Sequence, residues 1–183
     1  HVPPYQRPPL SKAYLLGEMA LERLFLRPAS YYAEQDITLM LDAPVTAIDR
    51  AQKTVTAGGQ SLGYDALVLA TGSIPRRLPA AIGGDLAGVH VVRGLRDVDA
   101  MEPGLRPGRH ALIVGGGYIG LEAAAVARKR GMAVTLIEMA PRILQRVAAP
   151  ETSDFFRDLH RAHGVDIREG VGLTRLTGDD HVT

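Results

Sequence analysis

The sequence contains no cysteine and no tryptophan among its 183 residues. Without cysteine the chain can form no disulfide, no thiolate metal site and no cysteine nucleophile or redox pair. It also has almost no net charge, because 21 Lys and Arg residues nearly balance 20 Asp and Glu residues and leave +1. A chain so close to neutral has no overall field that would draw it to nucleic acid or to an anionic membrane.

Long apolar runs are absent as well. The most apolar stretch, residues 111–127, contains Glu122 and four glycines and is too short to span a bilayer. The first ten residues, HVPPYQRPPL, lack the basic-then-apolar order of a signal peptide. With 46% hydrophobic and 22% charged residues, the composition is that of an ordinary globular protein. These features predict a soluble, cytoplasmic protein.

The first hundred residues alternate short predicted elements with proline-rich loops. Ser11 is predicted to cap a short helix that begins near Lys12. Hydrophobic patterning predicts a run of short elements: strands at 37–41, 44–49, 53–56, 64–70 and 89–92, and helices at 21–27, 30–35 and 95–101. Two prolines and two glycines within residues 103–108 predict a domain boundary.

Beyond this boundary the pattern changes to alternating strands and helices. Strands are predicted at 110–114, 133–138 and 165–168, with helices at 118–130 and 150–163 between them. This order is typical of a doubly wound parallel sheet and therefore of an α/β fold. Both ends of the sequence break off within such elements, which predicts a fragment of a larger protein. A compact, unusually small protein is the alternative.

The strongest motif is Gly-Gly-Gly-Tyr-Ile-Gly at 115–120, a G-x-G-x-x-G sequence directly after a predicted strand and at the start of a helix. Gly115 permits the tight turn, Gly117 lets a pyrophosphate approach the backbone, and Gly120 lets the helix pack against the sheet. Tyr118 and Ile119, between the last two of these glycines, are counted among the cofactor contacts. The alternative is a glycine-rich turn that binds nothing.

An acidic residue follows at the distance that this motif requires. Glu138 ends the second predicted strand, where a carboxylate hydrogen-bonds a ribose 2′-hydroxyl and repels a 2′-phosphate. The sequence therefore predicts NADH rather than NADPH as the ligand. Arg142 and Arg146 are the nearest basic residues and leave the NADPH alternative open; Arg146 is counted among the cofactor contacts.

Taken with this motif, two further segments resemble the FAD-dependent ferredoxin reductases. These segments are PYQRPPLSK at 4–12 and YDALVLATG at 64–72. The similarity is strongest to the NADH-linked reductases of putidaredoxin, rubredoxin and biphenyl-dioxygenase ferredoxins. It implies a flavoprotein with two dinucleotide-binding domains, of which residues 1–103 form part of the FAD domain and residues 104–183 part of a Rossmann-like NAD domain. The family's first FAD fingerprint, second FAD segment and C-terminal domain have no counterpart in the sequence.

The resemblance also assigns site residues. Lys12 matches the lysine beside the reactive edge of the flavin, and Glu122 matches a glutamate where flavin, lysine and nicotinamide meet. A Lys12–Glu122 pair is therefore expected to join the two domains at the site of hydride transfer. From the residues alone, a surface lysine and a helix-terminal acid stabilised by the helix dipole are the alternatives.

Five further positions are expected to contact FAD by the same resemblance. Val45 matches the position whose backbone meets the adenine. Ala70, Thr71 and Gly72 match the family's A-T-G turn. Arg93 lies near the position of a flavin-contacting arginine. Without the resemblance, Val45 is an ordinary apolar strand residue and Arg93 a surface arginine.

The function implied is electron transfer from NADH through FAD to a small iron–sulfur protein, a ferredoxin or rubredoxin of an oxygenase system. Related enzymes that reduce disulfides or peroxides need a cysteine in the region matched by residues 1–15, where this chain has none. A NADH- and FAD-binding module, or a flavoprotein of the apoptosis-inducing type, is the remaining alternative. The near-neutral charge argues against the DNA-binding surface such proteins carry. No metal site is expected.

Overall fold

The structure, a computed structural model, describes residues 2–183 and divides into two compact units. The first unit comprises the residues up to Gln6 together with 21–74, and the second comprises 7–20 together with 75–183. Packing within this chain thus groups residues 75–103 with the second unit, whereas the resemblance assigns them to the FAD domain. The domain assignment with a boundary at residue 103 stays a prediction.

The first unit is built on a small antiparallel sheet of three strands in the order β1-β2-β3. Its strands are β1 (Val45–Asp49), β2 (Thr54–Ala57) and β3 (Gln60–Gly63). Gly58 and Gly59 form the two-residue turn between β2 and β3, with φ of +54° and +79°. A turn with two positive φ values matches the twist of a hairpin and favours glycine at both positions. The strands predicted at 44–49 and 53–56 are confirmed as β1 and β2.

Helical structure in this unit is short. A 3₁₀ turn covers Leu21–Leu24, so the helix predicted at 21–27 ends earlier than expected, and α1 covers Ala29–Glu34 after Pro28. Leu24 and Tyr32 are the buried side chains of these two segments. An antiparallel bridge between Tyr5 and Phe25 ties the first residues to this unit.

Two strands predicted for the first unit are wrong. Residues 37–41 and 64–70 are extended or irregular, and Val68 and Leu69 are 85% and 68% exposed. An apolar run becomes a strand only when a neighbouring strand accepts its backbone hydrogen bonds. Among residues 2–183, no strand pairs with either segment.

The second unit contains the predicted parallel sheet. Its strands pair in the order β4-β5-β6, and they are β4 (His110–Val114), β5 (Ala133–Glu138) and β6 (Val165–Glu169). The crossover helices are α3 (Tyr118–Lys129) and α4 (Pro150–Ala162), and α4 begins at a proline, which suits the first helical position. The central strand β5 buries Val134 and Leu136 in the core. The predicted α/β fold is confirmed.

The rest of the second unit consists of short elements. A five-residue π-helical turn covers Leu10–Tyr14, α2 covers Leu95–Met101, and 3₁₀ turns cover Ala80–Ile82 and Glu102–Gly104. The strand predicted at 89–92 is wrong, because these residues form no strand. The nearest β-bridge pairs Ala87 with His181. No helix within residues 2–183 has both the length and the apolar character that crossing a membrane requires.

Candidate functional site

The glycine-rich turn connects β4 to α3. Gly115 has φ of +113°, which only glycine adopts readily, and its N–H donates to the Ile137 carbonyl of β5 at 2.8 Å. Gly117 is the residue before the first turn of α3, with φ of −82° and ψ of −178°. The chain therefore leaves the sheet and enters the helix within three residues, as the motif predicts.

The glycines of this turn are required for different steric reasons. A Cβ on Gly120 would lie 2.0 Å from the Gly115 carbonyl oxygen, and one on Gly116 would lie 2.6 Å from Cγ2 of Ile143. A Cβ on Gly117 would meet nothing within 4 Å. Packing inside the chain therefore explains why positions 116 and 120 require glycine. At Gly117 the space against the backbone is open.

A pyrophosphate is predicted to bind at this open space. The first N–H groups of a helix have no intrahelical acceptor, and the helix dipole adds positive potential at the same place. Tyr118 and Ile119 begin α3 and are 56% and 51% exposed, so both are accessible to a ligand. The turn thus offers donors, space and apolar surface to a dinucleotide, and these cofactor contacts stay predictions.

Glu138 lies at the carboxyl end of β5, as predicted, and is already engaged with the backbone. Its Oε2 accepts the N–H of Gly116 at 2.7 Å, and its Oε1 accepts the N–H of Ala140 at 2.7 Å. The carboxylate is therefore fixed in direction and coupled to the glycine-rich turn. A carboxylate oxygen has more than one acceptor position, so a ribose hydroxyl can bind alongside these bonds.

The two arginines near Glu138 differ in their availability. The Arg142 guanidinium donates to the Gln145 and Ala148 carbonyls at 3.2 and 2.9 Å and to Ser153 Oγ at 2.6 Å. Arg146 is exposed, and within residues 2–183 it makes no ion pair or hydrogen bond. The guanidinium of Arg142 is thus occupied by hydrogen bonds within the fold, whereas that of Arg146 is available to contact a ligand.

The segment after β5 supports the glycine-rich turn in a way that the motif did not reveal. The Leu144 N–H donates to the Gly116 carbonyl at 2.9 Å, and the Ile143 N–H donates to Glu169 Oε1 at 2.8 Å. Leu144 is buried and has φ of +55°, a conformation that costs a leucine about 1–2 kcal/mol. Gly116 is therefore held at both its N–H and its carbonyl, and neither Gly116 nor Leu144 was identified from the sequence.

Ser153 anchors this supporting segment. It is fully buried, donates to the Ile143 carbonyl at 2.7 Å and accepts from Arg142. We expect Ser153→Ala to lower the free energy of unfolding by about 2 kcal/mol, because it leaves buried polar groups without their partner. Urea denaturation followed by circular dichroism measures this. Thr152→Ala, at the exposed neighbouring position on α4, is the control and should change stability by less than about 0.5 kcal/mol. An equal effect of both substitutions would contradict the assignment.

A second group of polar residues lies on the same unit. Lys12 Nζ is 2.7 Å from Glu122 Oε1, and Ser11 Oγ donates to Glu122 Oε2 at 2.5 Å. The predicted ion pair between Lys12 and Glu122 is present, and both residues belong to the second unit; the role of this pair between two domains beside the flavin stays a prediction. The predicted capping role of Ser11 is wrong, because this hydroxyl binds a side chain 111 residues away rather than its own helix.

The Lys12–Glu122 ion pair is partly exposed and contributes no more than about 1 kcal/mol to stability, so stability alone does not explain it.

The residues expected to contact FAD fall into both units. Val45, Ala70 and Thr71 line one groove of the first unit, with a volume of about 580 Å³ and otherwise mostly apolar walls. Gly72 follows directly, with φ of +69°. The groove brings together the two segments that the resemblance assigns to FAD, and its apolar lining suits a flat aromatic ring such as adenine. Arg93 belongs to the second unit, two residues before the first residue of α2. These roles stay predictions.

Comparison with known proteins gives a consistent result. The family model described as pyridine nucleotide-disulphide oxidoreductase matches residues 1–183. The ferredoxin reductase subunit of 5,5′-dehydrodivanillate O-demethylase from Sphingobium sp. (strain NBRC 103272 / SYK-6) is 48% identical, over 97% of this chain and 43% of its own length. Putidaredoxin reductase CamA from Pseudomonas putida is 47% identical, over 98% of this chain and 44% of its own length.

The same fold is found among solved structures. The crystal structure of a covalent putidaredoxin reductase–putidaredoxin complex matches with a TM-score of 0.94 and 44% identity, over 100% of this chain and 45% of that chain. The chain therefore spans less than half the length of the relatives that it matches. The predicted class, an α/β dinucleotide-binding flavoprotein fold, is confirmed.

Proposed function

Because this chain belongs to the pyridine nucleotide-disulphide oxidoreductase family, we propose that it forms part of a flavoprotein reductase. The whole protein would pass electrons from NADH through FAD to a small iron–sulfur protein. The chain covers 43–44% of the length of the two curated relatives named above, both of which are named as reductases. The proposal therefore concerns the complete protein.

One observation carries the proposal. Helix α3 starts at the open glycine turn and bears Glu122 about one turn further on, where Glu122 pairs with Lys12. A structural helix would need neither the open space at Gly117 nor a cation and a carboxylate in this position. A dinucleotide-dependent electron-transfer site uses both, since it must bind the pyrophosphate and control the charge near the reacting rings.

The two cofactors would be held by different parts of the chain. We assign residues 1–103 to the FAD domain, with contacts from Val45, the turn at 70–72 and Arg93. Residues 104–183 belong to the NAD domain, in which the turn at 115–120, Glu138 and Arg146 hold NADH. FAD, when bound, takes up two electrons together and releases them one at a time. The chain itself supplies binding, orientation and charge: Lys12 places a cation beside the flavin, and Glu122 orients that cation.

The acceptor is proposed to be a ferredoxin or rubredoxin of an oxygenase system. A disulfide substrate is not proposed, although the family name includes one, because the chain has no cysteine to exchange with it. A binding module of the apoptosis-inducing type is less well supported, since both relatives named above are reductases. We place the protein in the cytoplasm, where NADH is available as donor.

The first test is a visible absorption spectrum of the purified complete protein before and after anaerobic addition of NADH. Nothing in the chain itself absorbs visible light, so a flavin band that bleaches with NADH supports the proposal. A protein that binds NADH but carries no flavin, even when refolded with FAD, would contradict it.

The role of Lys12 gives a quantitative prediction. We expect Lys12→Ala in the complete protein to slow flavin reduction by NADH at least tenfold, about 1.4 kcal/mol of barrier, because a cation is lost beside the flavin. Stopped-flow absorbance at saturating NADH measures the rate.

Lys129→Ala is the matched control for this prediction. Lys129 is exposed on α3 and forms no ion pair within the described residues, so its removal should leave the rate unchanged. If Lys12→Ala and Lys129→Ala reduce the flavin at the same rate as the unaltered protein, Lys12 has only a surface role.

A further inference from the structure

Ser11 is the least exposed member of the cluster that it forms with Lys12 and Glu122. It is 6% exposed, whereas the side chains of Lys12 and Glu122 are 50% and 29% exposed. The two oxygens of the Glu122 carboxylate each have one donor, the Ser11 hydroxyl on Oε2 and the Lys12 ammonium on Oε1. Two consecutive residues therefore bind the same carboxylate from two sides.

The turn that carries Ser11 is held firmly in place. Leu10 and Leu15 are almost completely buried on either side of it. The Arg130 guanidinium donates to the Leu15 carbonyl at 2.7 Å, and the Tyr14 hydroxyl donates to Asp99 Oδ1 at 2.8 Å. The turn is thus anchored to α2 through the Tyr14 side chain and to the end of α3 through the Leu15 carbonyl.

Lys12 is held less well than Ser11. A lysine has four side-chain torsions, and a half-exposed ion pair gives up much of its attraction to solvent and to side-chain entropy. Its one other side-chain bond, to the Pro8 carbonyl, is longer, at 3.2 Å. Serine has a single side-chain torsion before its hydroxyl, so a buried serine defines a donor position sharply.

We propose that Ser11 is a positioning residue, whose hydroxyl fixes the Glu122 carboxylate so that its other oxygen meets the Lys12 ammonium. The inference rests on the proposed function, which places the Lys12–Glu122 pair beside the flavin. Ser11 itself touches neither cofactor in this scheme. It acts by limiting the directions in which Glu122 can point, and through Glu122 it limits the position of the cation.

The sequence offers a direct measurement, because it contains only three lysines, at positions 12, 53 and 129. The ammonium groups of lysines give separate ¹H–¹⁵N signals when hydrogen bonding slows their exchange with water. Lys53 and Lys129 are exposed and have no carboxylate within ion-pair distance in the described part of the chain, so they serve as internal references. Single Lys→Arg substitutions assign the signals.

We expect the Lys12 signal of the 183-residue chain to be sharp and displaced from those of Lys53 and Lys129. In Ser11→Ala it should move towards the reference signals and broaden through faster exchange with water. Ser11→Thr retains the hydroxyl and should restore the signal, whereas Ser11→Val, of nearly the same shape, should not. Glu122→Gln should abolish the displacement in every background.

If Ser11→Ala unfolds the turn, the comparison of Ser11→Thr with Ser11→Val still decides the test, since valine carries a methyl group where threonine carries the hydroxyl. A Lys12 signal that is identical in Ser11→Thr and Ser11→Val overturns the proposal. Flavin reduction in the complete protein is a separate measurement, expected to be slowed by Val and restored by Thr. If Lys12→Ala leaves that rate unchanged, the proposed function of the pair fails, while the ammonium spectrum still decides whether Ser11 positions it.

Discussion

Gly117→Ala is expected to leave the fold intact and to weaken NADH binding at least tenfold. The added Cβ meets no atom of the chain within 4 Å, and φ of −82° is open to alanine. The cost to the start of α3 is therefore below about 1 kcal/mol. The methyl group would occupy the space where the pyrophosphate approaches the backbone, so the loss falls on binding.

Gly120→Ala, in contrast, is expected to destabilise the fold. Helix propensity alone would make alanine about 1 kcal/mol better than glycine inside α3. Here the added Cβ would lie 2.0 Å from the Gly115 carbonyl oxygen, a backbone atom that cannot turn away. We expect a loss of about 3 kcal/mol in the free energy of unfolding, typical of severe overpacking, and NADH binding should fall with it.

Two measurements separate these effects: urea denaturation for stability and isothermal titration calorimetry for the Kd of NADH. Gly104→Ala is the matched control, because Gly104 also has open space around its Cβ position but belongs to the 3₁₀ turn Glu102–Gly104 rather than to the glycine-rich turn. NADH binding in Gly117→Ala equal to that of Gly104→Ala would show that the pyrophosphate does not lie over Gly117.

The second large effect is expected at Glu138. Glu138→Ser combined with Met139→Arg should weaken NADH about ten- to a hundredfold, the value of a lost hydrogen bond to a charged group, and should improve NADPH binding. The substitution removes the carboxylate that repels a 2′-phosphate. It adds a cation at an adjacent position that is 78% exposed and so free to reach the ligand.

Glu138 also holds the backbone, and this limits the expected gain. Serine is too short to reach both the Gly116 and the Ala140 N–H groups, so the double variant loses order in the turn as well as charge. Glu138→Gln separates the two effects, because it keeps the length and one acceptor but removes the charge. We expect Glu138→Gln to lose less NADH affinity than Glu138→Ser. We also expect it to reduce the preference for NADH over NADPH.

Calorimetric titration with NADH and NADPH gives both Kd values for each variant. Arg142 is not expected to contribute to NADPH binding, since its guanidinium is already bound to two carbonyls and Ser153. An unchanged ratio of the two Kd values in Glu138→Ser/Met139→Arg would mean that Glu138 does not face the ribose.

Part of this molecule follows from local sequence patterns. The turn at 115–120, strands β4 and β5 and Glu138 at the end of β5 were all predicted correctly from the sequence. They could be, because each depends on residues close together in the chain: short runs of apolar residues make the strands, and glycines permit the turn. Even the split of roles between Gly117 and Gly120 agrees with their steric surroundings.

Other features could not be read in this way. Residues 64–70 have the composition of a buried strand, yet Val68 is 85% exposed, because a strand also needs a partner that local sequence does not specify. The support of Gly116 by Leu144 depends on a leucine at φ +55°, a conformation that its residue type opposes. Tertiary packing holds it there, so no local preference could have revealed it.

The sequence by itself determined the parallel α/β unit, the dinucleotide motif and, through its resemblance, the pairing of Lys12 with Glu122. Only the tertiary structure decided that Ser11 joins this pair rather than capping a helix, that Arg142 is committed to the fold, and that residues 75–103 pack with the second unit. The physical reason is the range of the interactions. Turns and strands depend on residues that are neighbours in the sequence. The Ser11 hydroxyl, by contrast, bonds to a group that only folding brings near, the Glu122 carboxylate 111 positions away.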